Sequence, residues 1–358
     1  MSIQHVVRAN DVDFKPFTLN TLFVFSIYFS KEDNLPPLEP STMKEKPIRF
    51  TQIGVSHSHA AGKAKVMTDS PDVELVGIWE PNAKKRFNAQ KQSEYANVKW
   101  LEDEEQALQD PTVIAVAIEG DVLENIEFSE RAIAAGKHLW LDKPAGVDLD
   151  QFQRLLEVAE EHKLLIQLGY MFRYNAGFEF LLSSVQSGLL GDIHSVLGRI
   201  SITRQQSINT QLKRFPGGPV FEILCHLIDI VVFMQGRPHQ VTTILRDHVR
   251  ELADCINNAA VVFEYPHSLT VLQSTAYEVD HNFRRLEVHG TRGSLALAPF
   301  EPPGVKLSLD EVRNGFQQGI QDIPVEVRPR YVASPVSYTH LRAHETDSYL
   351  VCRLLREK

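Results

Sequence analysis

Between Ile48 and Leu168 the chain alternates short apolar runs with helix-patterned segments, and no other feature limits its fold so tightly. Strand patterns cover Ile48 to Val55, Val73 to Trp79, Thr112 to Ile118 and His138 to Leu141. Helix patterns cover Ala60 to Met67, the acidic stretch Glu102 to Gln109, and Leu123 to Ala135 with Gly136 as its cap. Strand-helix-strand order of this kind closes into a parallel, doubly wound sheet, a Rossmann-type α/β fold. Farther on, strand patterns recur at Ser195 to Ile202, Gln240 to Leu245, Ala259 to Tyr265, Leu269 to Ala276 and Arg285 to Val288, with few helices between them. That half is expected to be an α+β domain on a large, mainly antiparallel sheet with one open face.

At 358 residues the chain is long enough for two domains, and 43% hydrophobic content supplies their cores. A net charge of -9, with no Lys/Arg run, speaks against nucleic acid or an anionic membrane as partner and for a small molecule. Cys225, Cys255 and Cys352 stand too far apart for a disulfide framework or a thiolate zinc site, so a reducing, cytoplasmic setting is expected. The apolar run Leu22 to Phe29 is too short to cross a bilayer. Asp11, Asp13, Glu32 and Asp33 near it suit neither a secretion signal nor the rival reading, a targeting segment.

Both ends look foreign to the fold. Met43-Lys-Glu-Lys-Pro-Ile-Arg-Phe reads as the natural opening of a nucleotide-binding domain, so residues 1–42 are expected to be an extension or a misassigned start. Val336-Ser-Tyr-Thr-His-Leu-Arg-Ala-His-Glu-Thr346 resembles the conceptual translation of a sequencing adapter, and Leu350 to Leu355 the primer that follows it. Residues 336–358 are therefore expected to be artefactual, with a truncated natural end. The alternative is a genuine terminal helix with an apolar stripe of Leu341, Leu350, Val351, Leu354 and Leu355. The expected division is a nucleotide domain over 43–167 and a substrate domain over 168–335.

The turn after the first strand is an imperfect G-x-G-x-x-G: Gly54 is kept, while Ser56 and His59 replace the other two glycines, with His57 between them. Glu80 closes the second strand, where this motif places the acceptor for the ribose 2′-OH. A carboxylate there favours NAD over NADP, although Lys84, Lys85 and Arg86 weaken the preference and keep NADP open. Glu80 has a second reading as a helix N-terminal acid. The fourth strand delivers Asp142-Lys143-Pro144, placing one amine at the carboxyl edge of the sheet. On an α-helix Glu222, His226 and Asp229 fall at i, i+4 and i+7 and share one face amid apolar neighbours. No metal is expected, since His57 and His59 at i, i+2 make only a weak pattern.

Ala134-Ala-Gly-Lys-His-Leu-Trp-Leu-Asp-Lys-Pro144 closely resembles the A-G-K-H-V-x-x-E-K-P signature of the glucose-fructose oxidoreductase, inositol dehydrogenase and MocA-like superfamily. Leu168 to Gly177, Ser187-Gly-Leu-Leu-Gly-Asp-Ile-His194 and Leu286-Glu-Val-His-Gly-Thr-Arg-Gly-Ser-Leu295 are similar to later stretches of that family, in the same order. Gly217 to Asp229 is similar to its G-G-x-x-x-D-x-G-x-H-x-x-D motif, with Glu222 in place of aspartate and Leu224 in place of glycine.

The resemblance implies an NAD(P)-dependent dehydrogenase acting on a hydroxyl carbon of a sugar, polyol or cyclitol. Lys143, His226 and Glu222 are its implied catalytic residues, and Gly54, Ser56, His57, His59, Glu80, Glu119, Asn125, Asp142 and Lys143 its cofactor contacts. Tyr170, Arg173 and Asp229 are implied substrate contacts, with packing or salt-bridge roles equally open for Tyr170 and Arg173. The open face of the second-domain sheet is implied to carry substrate contacts and, as is frequent in that family, subunit contacts in a homo-oligomer. A cofactor-binding regulator, motivated by the altered turn and the Glu222 and Leu224 departures, and a redox-neutral NAD-dependent enzyme acting on glycosides are the alternatives.

Overall fold

The computed structural model describes residues 46–203, 213–215, 217–248, 255–280 and 283–325. The expected extension and tail, and most of the stretch from Thr203 to Pro216, lie outside those residues. The described residues divide into two compact units, with the break between Tyr170 and Met171.

The first unit holds five parallel strands: β1 (Ile48–Ile53), β2 (Val73–Trp79), β3 (Ala115–Ile118), β4 (His138–Leu141) and β5 (Ile166–Leu168), in the spatial order β2-β1-β3-β4-β5. Its helices are α1 (Ala60–Asp69), α2 (Ala83–Ala89), α3 (Glu104–Leu108), α4 (Asn125–Ala134) and α5 (Leu149–Glu161). β3 is buried at every position and β1 at all but one, as expected of strands covered on both faces. Phe50, Met67, Val73, Ala117 and Trp140 fill one cluster, and Ala64, Ile78, Ala89 and Tyr95 another. The chain order reverses direction between β1 and β3, and the crevice outside the carboxyl ends of those strands is the usual ligand position of such sheets.

Local chemistry sets the boundaries. The third strand begins three residues later than its apolar run suggested, because Asp110 accepts hydrogen bonds from the Thr112 amide at 2.8 Å and hydroxyl at 2.6 Å and holds Thr112 in a turn. Asp103, Asn82 and Asp148 each cap a helix by accepting from backbone N–H groups of its first turn.

The second unit is built on eight strands: β6 (Ile193–Arg199), β7 (Gln240–Arg246), β8 (Asn258–Glu264), β9 (Leu269–Thr275), β10 (Arg285–Gly290), β11 (Gly293–Phe300), β12 (Pro303–Leu309) and β13 (Gly319–Ile323), in the order β13-β12-β11-β10-β6-β9-β8-β7. Only the β6–β9 pair is parallel. Helices α6 (Ala176–Gln186) and α7 (Cys225–Gln235) cover one face through Phe178, Leu181, Leu227, Val231, Leu272, Leu286 and Leu297. Each such apolar side chain contributes ~1.5–3 kcal/mol on burial. On the other face Leu197, Ile244 and Leu269 are exposed. β11 to β13 continue the sheet past the five strands read from sequence, where Pro299, Pro302 and Pro303 interrupt the apolar pattern. No helix among the described residues is long and apolar enough to cross a membrane.

Candidate functional site

In the first unit the chemistry gathers at the carboxyl ends of β1, β3 and β4. Gly54 follows β1 with φ of 87°, and a Cβ there would lie 2.4 Å from the Gly120 amide nitrogen. Glycine is required by both the turn and the backbone approach. The amides of Ser56 and His57 donate to the Glu119 carbonyl at 2.9 and 3.1 Å, which fastens the turn to the end of β3. Glu80, at the end of β2, accepts from the Val55 amide at 2.9 Å and the Asn82 amide at 2.9 Å. Its carboxylate thus fixes the turn and the start of α2 together.

Beneath this turn lies a buried charge cluster. Glu119 and Asp142, ending β3 and β4, are fully buried, and Lys63 on α1 places Nζ 2.5 Å from Glu119 Oε1 and 3.0 Å from Asp142 Oδ2. His59 Nδ1 lies 2.9 Å from Asp142 Oδ2, and His57 Nδ1 lies 3.5 Å from that oxygen and 3.6 Å from Glu119 Oε2. Burial alone would lower the pKa of Lys63 and of His57, but the Asp142 and Glu119 carboxylates outweigh it and hold both above their ordinary values. Burial would raise Asp142; His57, His59 and Lys63 together hold it well below the usual carboxylate range. His57 Nδ1 also accepts the His59 amide at 3.2 Å. The neutral ring keeps that bond, and the protonated ring gives it up for the carboxylates.

Asp142 links this cluster to the buried Lys143, because its Oδ1 accepts the Lys143 amide at 2.7 Å. Gly169 leaves room for the arrangement, since a Cβ there would come within 3.0 Å of the same oxygen. The Lys143–Pro144 peptide is cis. Above the cluster, Asn125 is fully buried at the start of α4 with no hydrogen-bond partner for either side-chain atom, and the buried Ser56 hydroxyl also has none. Buried polar groups in this state suit a polar ligand. Together with the glycine turn at the switch point, they fit a dinucleotide.

The second unit holds the other expected residues. His226 is buried on α7, edge-on to Phe172 with ring centroids 5.1 Å apart. Asp229, one turn on, is fully buried and takes Arg173 through two hydrogen bonds, Nε to Oδ2 at 2.7 Å and Nη2 to Oδ1 at 2.6 Å. The Arg173 guanidinium also stands 4.7 Å from the Phe233 ring. Glu222 belongs to a π turn at Val220–Leu224 that precedes α7, and it is half-buried where His226 and Asp229 are buried. Tyr170, the last residue of the first unit, is buried.

Residues 48–170 match the family described as "Oxidoreductase family, NAD-binding Rossmann fold", and residues 179–296 match the "GFO/IDH/MocA C-terminal domain". The chain belongs to the GFO/IDH/MocA oxidoreductase family. Its first unit is the NAD-binding Rossmann domain of that family, as the sequence resemblance implied. Among similar proteins are the uncharacterized oxidoreductase YrbE of Bacillus subtilis, 25% identical over 56% of this chain and 60% of its own length, and inositol 2-dehydrogenase of Rhizobium meliloti, 21% identical over 85% of this chain and 88% of its own. The chain thus spans less than two thirds of the Bacillus relative. An oxidoreductase from Agrobacterium radiobacter, solved with NAD+, L-tartaric acid and magnesium, shares the fold at a TM-score of 0.67 and 15% identity, covering 81% of this chain and 82% of its own.

For a GFO/IDH/MocA chain, the structure gathers Ser56, His57, His59, Glu119, Asn125, Asp142 and Lys143 at one sheet edge. It pairs Arg173 with Asp229, as two halves of one ion pair. The residue missed from sequence is Lys63. Its signal was a lone charge among small residues, Ala60-Ala-Gly-Lys-Ala64, on a helix face that packs on the sheet.

Proposed function

We propose that this chain catalyses NAD-linked hydride transfer at a hydroxyl carbon of a sugar, polyol or cyclitol. The observation that carries the reading is the buried Asp142-Lys143 pair at the carboxyl edge, beside a glycine turn and the unpartnered polar atoms of Ser56 and Asn125. Gly54, Ser56, His57, His59, Glu119 and Asn125 hold the dinucleotide, and Glu80 favours a free ribose 2′-OH over a 2′-phosphate. Bound NAD supplies a two-electron hydride acceptor. Lys143 hydrogen-bonds the substrate oxygen and favours its developing negative charge. His226 takes the hydroxyl proton, and Glu222 orients the substrate. Tyr170 contacts the substrate, while Arg173 and Asp229 act by holding the segment before α6 against α7. The Rhizobium relative's name, inositol 2-dehydrogenase, supports the polyol or cyclitol class.

The exposed sheet residues Leu197, Ile244 and Leu269 are proposed to meet a second copy of the chain. Sedimentation of wild type and Leu197→Glu tests this: a monomeric wild type removes the pairing.

Titration of the purified protein with NAD and NADP, followed by a polyol and cyclitol screen at the NADH absorbance band, tests the function. Tighter NAD binding with NADH formation on at least one cyclic or linear polyol is expected. Failure to bind either nucleotide overturns the reading, and binding without turnover across the panel replaces it with a cofactor-binding regulator.

A further inference from the structure

Two carboxylates that are both fully buried and end neighbouring strands require a positive partner. Taking each ion out of water costs several kcal/mol, and their mutual repulsion adds to that. Lys63 is that partner, with Nζ within 2.5 Å of Glu119 and 3.0 Å of Asp142 and 4.7 Å from the centre of the Trp140 ring. The ring nitrogens of His57 and His59 converge on the same Asp142 Oδ2. The ligating atoms of His57, His59 and Asp142 lie within 4.8 Å of one another, a set of two imidazoles and a carboxylate that suits a divalent transition metal. Glu119 Oε2, 3.6 Å from His57 Nδ1, adds a fourth donor.

We propose that Lys63 is a tethered cation occupying the centre of a latent metal site, and that it acts as a positioning residue for Lys143. The ammonium draws Asp142 Oδ2 toward α1, which leaves Oδ1 to fix the Lys143 amide. Its Nζ bridges the two carboxylates, so the position is filled by the chain itself. Its bearing on catalysis rests on the role proposed above for Lys143. The prediction about metal does not.

The full-length wild type, Lys63→Arg, Lys63→Met and Lys63→Met/His59→Ala are titrated with cobalt(II) chloride near neutral pH, read by calorimetry and visible absorption. Lys63→Met keeps an unbranched side chain one atom shorter and removes its charge. It is expected to gain one cobalt site at least about tenfold tighter than any in wild type or Lys63→Arg, and to lose it when His59→Ala is added. Equal cobalt affinity in wild type and Lys63→Met overturns the proposal, as does a folded Lys63→Met with no site dependent on His59. If Lys63→Met purifies unfolded, cobalt present during refolding is expected to restore its far-ultraviolet circular dichroism, and failure to do so also overturns it. Where wild type forms NADH, Lys63→Met is expected to lose turnover and to recover it with cobalt bound; a loss that cobalt does not reverse overturns the positioning role. A wild type without turnover counts against the proposed function alone, because the cobalt comparison still decides the inference about Lys63.

Discussion

Asp142 Oδ1 accepts the backbone N–H of Lys143 at 2.7 Å, while Oδ2 of the same carboxylate faces Lys63, His57 and His59. One buried side chain therefore ties the lysine proposed for catalysis to the charge cluster below the dinucleotide turn. If Lys143 carries the chemistry, Lys143→Ala lowers kcat by about 10²–10⁴ with the fold intact, and His226→Ala does the same. Steady-state NADH formation beside circular dichroism checks this, and undiminished activity in Lys143→Ala contradicts the central role given to it.

The cluster should also shape stability against pH. His57 has a folded pKa above its ordinary 6.5, so its contribution is fully present below about pH 6.5 and fades as pH rises through the folded value. Asp142 runs the other way: its folded pKa lies below the ordinary 3.8, so its contribution is present above that and is lost as pH falls through the folded value. Urea midpoints measured from pH 5 to 9 should decline on the alkaline side for wild type, and less so for His57→Asn. Parallel curves for the two proteins would remove His57 as the source.

Gly54 offers a test of the turn independent of any charge. A methyl group there meets the Gly120 amide nitrogen at 2.4 Å, and φ of 87° disfavours any side chain. Gly54→Ala is expected to lower the melting temperature and to weaken NAD binding by at least about tenfold. Calorimetric titration at a temperature where the variant remains folded separates the two effects.

The strand-helix order, the Gly54 turn and the Asp142-Lys143-Pro144 edge were legible in the sequence because each depends on local periodicity or on one backbone conformation. The assembly of Lys63, Glu119 and Asp142 was not, because it joins residues up to 79 positions apart through the strand order β1-β3-β4, which no local spacing carries. The π turn before α7 was hidden for a different reason: Val220-Phe-Glu-Ile-Leu224 has an ordinary helical composition. Arg173 and Asp229 were each visible as charged residues in apolar surroundings. That they answer one another was hidden by a separation of 56 positions.

That pair makes the last prediction. Asp229 is fully buried and both of its oxygens receive Arg173, so Arg173→Ala removes this ion pair from a buried carboxylate. The expected loss is ~3–5 kcal/mol, whereas an apolar double replacement such as Arg173→Met/Asp229→Leu removes both charges and should recover most of it. Arg173→Lys should recover less than its charge suggests, because an ammonium cannot make the two parallel bonds. A double-mutant cycle by urea denaturation gives the coupling energy. A coupling near zero would mean that Arg173 and Asp229 act separately, and would return both to the set of substrate contacts.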